Sequence, residues 1–199
     1  MRRNFYIGSD IGFRKNGIIS LPHLPRCELN PPTAIPHKRS FPPIVDQRSL
    51  VLVLGTLPGE ESLRRLEYYA HPRNLFWPIV CGLFGGTAPA LYAERLSFVA
   101  RRRIALWDVC ESGERRASAD ATIKGEVPNR IDTLLQAHPQ IRAVAFNGSG
   151  AQRLHDRHFA RRPDLTYFAL PSTSPAYASL DFAAKLARWT ALREVLGTE

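Results

Sequence analysis

No stretch of this chain approaches the roughly 20 consecutive apolar residues that a membrane-spanning helix needs, so the expectation is a soluble protein. Cysteine is scarce. Cys27, Cys81 and Cys110 show neither CxxC nor Cys/His spacing, which indicates neither a disulfide framework nor a zinc site. Three thiols also exclude a four-cysteine iron–sulfur cluster within one chain, and a reducing cytoplasm suits such usage best. No internal repeat is visible. Acidic residues are in deficit, with 18 Asp and Glu against 27 Lys and Arg, a formal charge of +9. That balance leaves two readings: a polyanionic partner, with nucleic acid the default, or a merely basic solvated surface.

With 199 residues the chain suffices for one domain with a sizeable core and hardly for two. Residues 1–43 are punctuated by Pro22, Pro25, Pro31, Pro32, Pro36, Pro42 and Pro43 and carry no lasting hydrophobic period, so they read as an extended, poorly ordered tail. Its basic residues, Arg2, Arg3, Arg14, Lys15, Lys38 and Arg39, suit loose contact with phosphates. Residues 44–199 are read as the single folded domain.

From Ile44 onward, short β-like runs alternate with helical stretches. Strands are predicted at Leu50 to Leu54, Ile104 to Trp107, Ile141 to Phe146 and Leu165 to Leu170. Helical spacing covers Asn74 to Leu83, Leu91 to Arg102, Ile131 to Ala137, Ser149 to Phe159 and Phe182 to Leu196, the last with Asp181 as N-cap. Such alternation implies an α/β fold: a three-layer α/β/α sandwich around a mostly parallel four-stranded sheet. Loops after parallel strands gather along one sheet edge, where α/β proteins bind ligands.

The loop after the first strand reads Gly55-Thr56-Leu57-Pro58-Gly59. Its glycines permit close backbone approach, Pro58 fixes the turn, and the amides between can point at an acceptor atom. His71-Pro72-Arg73-Asn74 follows, beside Phe76 and Trp77. Backbone donors, a carboxamide and a flat aromatic face are what a heterocyclic base needs. The second strand ends in Trp107-Asp108, the third in Asn147-Gly148-Ser149-Gly150, and the fourth leads into Pro171-Ser172-Thr173-Ser174-Pro175-Ala176-Tyr177. Four convergent loops define a cleft.

The segments GTLPG, YYAHPRNLFW, IALWDVCESG, AFNGSGAQRL and LPSTSPAYASLDF, in this order, resemble the uracil-DNA glycosylase superfamily, and within it the hypoxanthine-DNA (deoxyinosine) glycosylase family. The resemblance covers roughly Lys38 to Trp189. It implies a uracil-DNA glycosylase-like fold and a monofunctional, monomeric enzyme, which extrudes a deaminated base from DNA and hydrolyses its bond to deoxyribose without metal or organic cofactor. Many superfamily members carry Asp or Asn in the first loop to place the attacking water. This chain has Thr56 and Leu57 there, and the resemblance assigns the catalytic asparagine to Asn74. Gly55, Thr56, Leu57, Pro58 and Gly59 are expected around the base, with Phe76 stacking on it and Trp77 in the core.

Each assignment has a plain structural alternative. Asn74 is also a suitable helix N-cap, large aromatics such as Phe76 usually pack inside, and Asp108 either accepts from a base N–H or caps the next turn. Tyr68 and Tyr69 rank below Phe76 as base contacts, and His71 is read as fixing its loop. Ser172 stands where relatives place a histidine, which weakens a dedicated uracil reading. Ser172, Thr173 and Ser174 are expected on the DNA backbone, with Tyr177 either a wedge in the base stack or an exposed loop residue. Asn147, Gly148 and Ser149 open a helix whose amides suit a phosphate, though Asn-Gly is also an ordinary turn. Lys124 and Lys185 have no place fixed by sequence. The expected partner is DNA bearing deaminated bases, and the expected location is the cytoplasm, on the nucleoid when DNA is bound.

Overall fold

The computed structural model describes residues 37–115 and 122–197. Of the tail predicted for residues 1–43, residues 1–36 lie outside the described residues.

Four strands form the central sheet: β2 (Val51–Gly55), β3 (Ile104–Asp108), β6 (Ala143–Asn147) and β7 (Thr166–Leu170). Their order is β3-β2-β6-β7 and every pairing is parallel. All residues of β2, β3 and β6 are buried, as expected of strands covered on both faces, whereas edge strand β7 is partly exposed. The period of two along each strand sorts the core. Val51, Val53, Ile104, Leu106, Ala143 and Ala145 face one layer, built on α2 (Phe76–Gly82), α3 (Tyr92–Arg101) and α6 (Phe182–Trp189). Leu52, Leu54, Ala105, Trp107, Val144 and Phe146 face the other, built on α4 (Ile131–Ala137) and α5 (Ser149–His158). The sandwich read from the sequence is the fold. Asp181 caps α6 through Oδ1, which accepts from the Ala184 N–H at 2.8 Å. A 3-10 turn at Thr190–Leu192 then leads into α7 (Arg193–Leu196).

Two features depart from the sequence reading. A second, antiparallel sheet of order β1-β4-β5 joins β1 (His37–Arg39), β4 (Cys110–Glu114) and β5 (Lys124–Pro128). Residues 37–43, assigned to the tail, thus belong to the folded body: Lys38 is buried, and Ile44 bridges Leu106. A short helix, α1 (Glu60–Arg65), also follows the glycine loop, with Glu60 and Glu61 in its first turn and Arg64 and Arg65 in its last, complementing the helix dipole. Among the described residues no helix is long and apolar enough to cross a membrane.

Candidate functional site

The ends of the parallel strands open into a cleft of about 590 Å³, within the range of small-molecule sites. The whole Gly55 to Gly59 loop lines it, joined by Asn74, Asp108 and Asn147 and by the 172–176 loop. The register explains the convergence: Gly55 sits beside Asp108, and Asn147 beside Leu170.

Gly55 is required by close approach. A Cβ there would lie 2.5 Å from Asp108 Oδ1 and 3.3 Å from Tyr69 Oη. Asp108 is buried, its Oδ2 accepts from the Ser40 hydroxyl at 3.0 Å, and its main-chain carbonyl accepts from Asn129 Nδ2 at 2.9 Å. The carboxylate is therefore held in the cleft beside the glycine loop. Burial, aided by the Asp108 charge, pushes the neighbouring Tyr68 hydroxyl well above the ordinary tyrosine range. That hydroxyl lies 3.3 Å from the Phe41 and Pro42 carbonyls.

Asn74 is half-buried at the cleft wall. Its Oδ1 accepts from the Phe76 N–H at 2.9 Å, an Asx turn leading into α2, whose N-cap position is Leu75 and not Asn74. A carboxamide oxygen has a second lone pair, and the NH₂ group donates to nothing among the described residues. His71 fixes this segment, as read from the sequence: Nδ1 accepts from the Arg73 N–H, and its carbonyl accepts from the Asn74 N–H.

Phe76 is corrected. The ring is fully buried and does not line the cleft. It stacks on Tyr69 at 3.8 Å with 19° between the planes and meets Trp77 and Trp189 edge-on. Tyr68 and Tyr69 both line the cleft, and Tyr69 is the less buried of the two; its φ of 56° puts a bulky residue in the left-handed region. Such strain persists only where surroundings over-determine it, and it concentrates at functional sites. Adjacent tyrosines on a turn gave no periodicity by which sequence could decide which ring points inward.

Asn147 and Thr173, expected on DNA, spend their side chains on one another. Asn147 Nδ2 donates to Thr173 Oγ1 and the Thr173 N–H donates to Asn147 Oδ1, both at 2.9 Å. The Thr173 carbonyl in turn accepts from the Leu75 N–H at 3.0 Å, lacing the third and fourth loops to the segment that carries Asn74. Replacing Asn147 by Ala leaves one buried Thr173 donor, the main-chain N–H, and one acceptor, the hydroxyl oxygen, without their partners. Thermal melting should show about 2 to 4 kcal/mol of lost stability, and unchanged stability would contradict the clamp.

Beside the cleft runs a shallower hollow lined by Gly148, Ser149, Ser172, Ser174, Ala176 and Tyr177, with Arg153 and Arg188 on its walls. Gly148 has φ 98°, and a Cβ there would meet the Ser172 side chain at 2.8 Å, so both backbone angle and space call for glycine. Tyr177 is 37% exposed, and Lys185 holds its loop by donating to the Tyr177 carbonyl at 2.7 Å and lying over its ring. Lys185 lines neither hollow, and burial pushes its pKa below the ordinary lysine value. Lys124 is an exposed residue of β5.

The cleft's charges were only partly visible in sequence. Arg64 and Arg65 hold the rim carboxyl of Glu61 down to about 2 through hydrogen bonds. Glu60 lies 3.6 Å from Lys38, whose pKa burial lowers, assisted by the nearby Arg115 guanidinium. The sequence holds arginine runs at 101–103, 115–116 and 161–162; Arg161 and Arg162 pair with Asp156 and Asp164, Arg102 packs over Phe84, and among the described residues of these runs Arg115 alone lines the cleft. Among the described residues no group of His, Cys, Asp and Glu is arranged to hold a metal ion.

Comparison with known proteins gives a consistent picture. The family model for the uracil DNA glycosylase superfamily matches residues 42–193. The chain is 38% identical over 112 residues to a hypoxanthine DNA glycosylase of Methanosarcina barkeri (strain Fusaro / DSM 804), covering 56% of this chain and 71% of that protein. It is 37% identical over 115 residues to a hypoxanthine DNA glycosylase of Methanosarcina acetivorans, covering 57% and 73%. A solution NMR structure of a candidate uracil DNA glycosylase from Methanosarcina acetivorans superposes with a TM-score of 0.66 at 32% identity, covering 78% of this chain and 96% of that one.

Proposed function

This chain belongs to the uracil DNA glycosylase superfamily, and from that premise we propose that it flips a deaminated base, hypoxanthine foremost, out of DNA and hydrolyses its N-glycosidic bond. The observation that carries the reading is the meeting of a carboxamide, an aromatic face and a glycine loop in one cleft.

In the proposed reaction the bond between C1′ and the base nitrogen breaks with its electron pair passing to the base. The sugar becomes oxocarbenium-like, so water needs orientation more than deprotonation. Asn74 orients that water through the lone pair left by the Phe76 N–H. Water adds its oxygen to C1′ and releases a proton to solvent, and the base takes up a proton on leaving. The Leu57 and Gly59 N–H groups, which have no acceptor among the described residues, suit the negative charge growing on the base carbonyl. One such donor contributes about 3 kcal/mol in typical cases. Tyr69 supplies the stacking face, a contact worth about 1 to 3 kcal/mol. The neighbouring hollow, with Ser149, Arg153, Arg188 and Tyr177, suits the flanking strand.

Asp108 reads the base edge in this scheme. Hypoxanthine, xanthine and uracil each present a ring N–H that a carboxylate can accept, whereas adenine presents a bare nitrogen lone pair and is repelled. Asp108→Asn is expected to slow hypoxanthine release by about 30-fold, the factor corresponding to about 2 kcal/mol of a charged hydrogen bond. Single-turnover rates check this, and a rate equal to wild type would remove Asp108 from base reading. The function itself is tested with competing oligonucleotides containing deoxyinosine, deoxyuridine or deoxyxanthosine, treated with alkali to cut at abasic sites. Preference for deoxyuridine would transfer the assignment to a uracil or mismatch enzyme.

A further inference from the structure

Arg115, followed in the sequence by a second arginine, is 2% exposed. A charge removed from water persists only where hydrogen bonds replace its hydration. The glycine loop supplies such bonds. One terminal nitrogen, Nη2, donates to the Pro58 carbonyl at 2.5 Å, and Nη1 lies 3.4 Å from Thr56 Oγ1. Arg115 directly follows β4, the central strand of the small antiparallel sheet, so the guanidinium is carried by an element separate from the parallel sheet that bears the loop. It is also the one Arg or Lys among the described residues that line the cleft.

We infer that Arg115 is a positioning residue for base release, its planar fork fixing Thr56 and Pro58 so that the Leu57 and Gly59 N–H groups meet the departing base. The inference rests on the glycosylase reading above. A rigid fork that spans two acceptors pins a turn in a way that one flexible ammonium does not. A carbonyl that accepts from a cation also polarises its peptide group, and the Gly59 N–H that follows Pro58 becomes the stronger donor. As the C1′–N bond breaks, its electron pair delocalises onto the base carbonyl, where this donor stabilises it. The second sheet thereby acquires a part in the chemistry: it delivers the group that holds the leaving-group loop.

The test compares wild type, Arg115→Ala and Arg115→Lys in single-turnover release of hypoxanthine, in DNA affinity and in thermal melting. Arg115→Ala is expected to slow release by about 10²-fold, the scale for loss of one preorganised donor, with DNA affinity within about threefold of wild type. Guanidinium ion at tens of millimolar, filling the vacated site, should restore about tenfold of that loss, an effect that general destabilisation does not produce. Arg115→Lys, which keeps the charge and the stem, should fall between, about tenfold slow, and decides the matter if the alanine variant does not fold. Wild-type rates in Arg115→Lys, or a folded Arg115→Ala variant with normal rates or a deficit that guanidinium leaves untouched, would overturn the inference. Normal release by Arg115→Ala beside a slow Asn74→Ala leaves the glycosylase reading standing, whereas no release by wild type from any deaminated base would mean that the reading itself had failed.

Discussion

Asn74→Ala is expected to slow base release by about 10³-fold while DNA affinity stays near wild type, because the carboxamide orients the water and contributes little to holding the strand. The same substitution also removes the acceptor for the Phe76 N–H, so about 1 kcal/mol of stability should be lost with it. Asn74→Ser separates the two roles. A serine hydroxyl can still accept from the Phe76 N–H but is too short to present a second group to the cleft. This variant should melt close to wild type and remain as slow as the alanine variant. Substantial release by Asn74→Ser would assign the residue to the helix end alone.

Phe76→Ala should have the largest effect on stability, about 3 to 5 kcal/mol, as for other large buried aromatics truncated to alanine. The ring is fully buried and packs against Tyr69, Trp77 and Trp189. Tyr69→Ala should behave in the opposite sense. The residue is half-buried at the cleft, so it should lose base release by about 10-fold to 100-fold, in line with about 1 to 3 kcal/mol of stacking, at a smaller loss of stability. Part of that loss is offset if the strained backbone at position 69 relaxes. Denaturant unfolding and single-turnover kinetics on both variants check the contrast. A stable Phe76→Ala with slow chemistry, beside a fast Tyr69→Ala, would return the stacking role to Phe76.

These two rings mark where sequence reasoning reached its limit. The parallel sheet was legible because β2, β3 and β6 are continuous apolar runs, which only burial on both faces explains, and because Asp181 and the spacing of α2 to α6 repeat the rules of helix formation. Convergence of the Gly55, Asp108, Asn147 and Ser172 segments followed from that topology. The second sheet was not legible. The Cys110–Glu114 and Lys124–Pro128 strands carry no apolar alternation, their register is broken by irregularities between Cys110 and Ser112 and again before Glu114, and their partner lies in a proline-rich stretch. Arg115 was missed for the same reason, since only that sheet turns it inward. Within the site, the choice between Phe76 and Tyr69 depended on a left-handed backbone at Tyr69 that no local pattern announces. The mutual bond of Asn147 and Thr173 depended on a pairing of loops 26 residues apart.

The most direct measurement is mass-spectrometric identification of what wild-type protein liberates from a deoxyinosine-containing oligonucleotide under single-turnover conditions, alongside Asn74→Ala. The expected products are free hypoxanthine and an uncut strand bearing one abasic site, with neither formed by the variant on the same timescale. Binding of the oligonucleotide with no base released, or release that is unchanged in Asn74→Ala, would contradict a hydrolase built around that carboxamide.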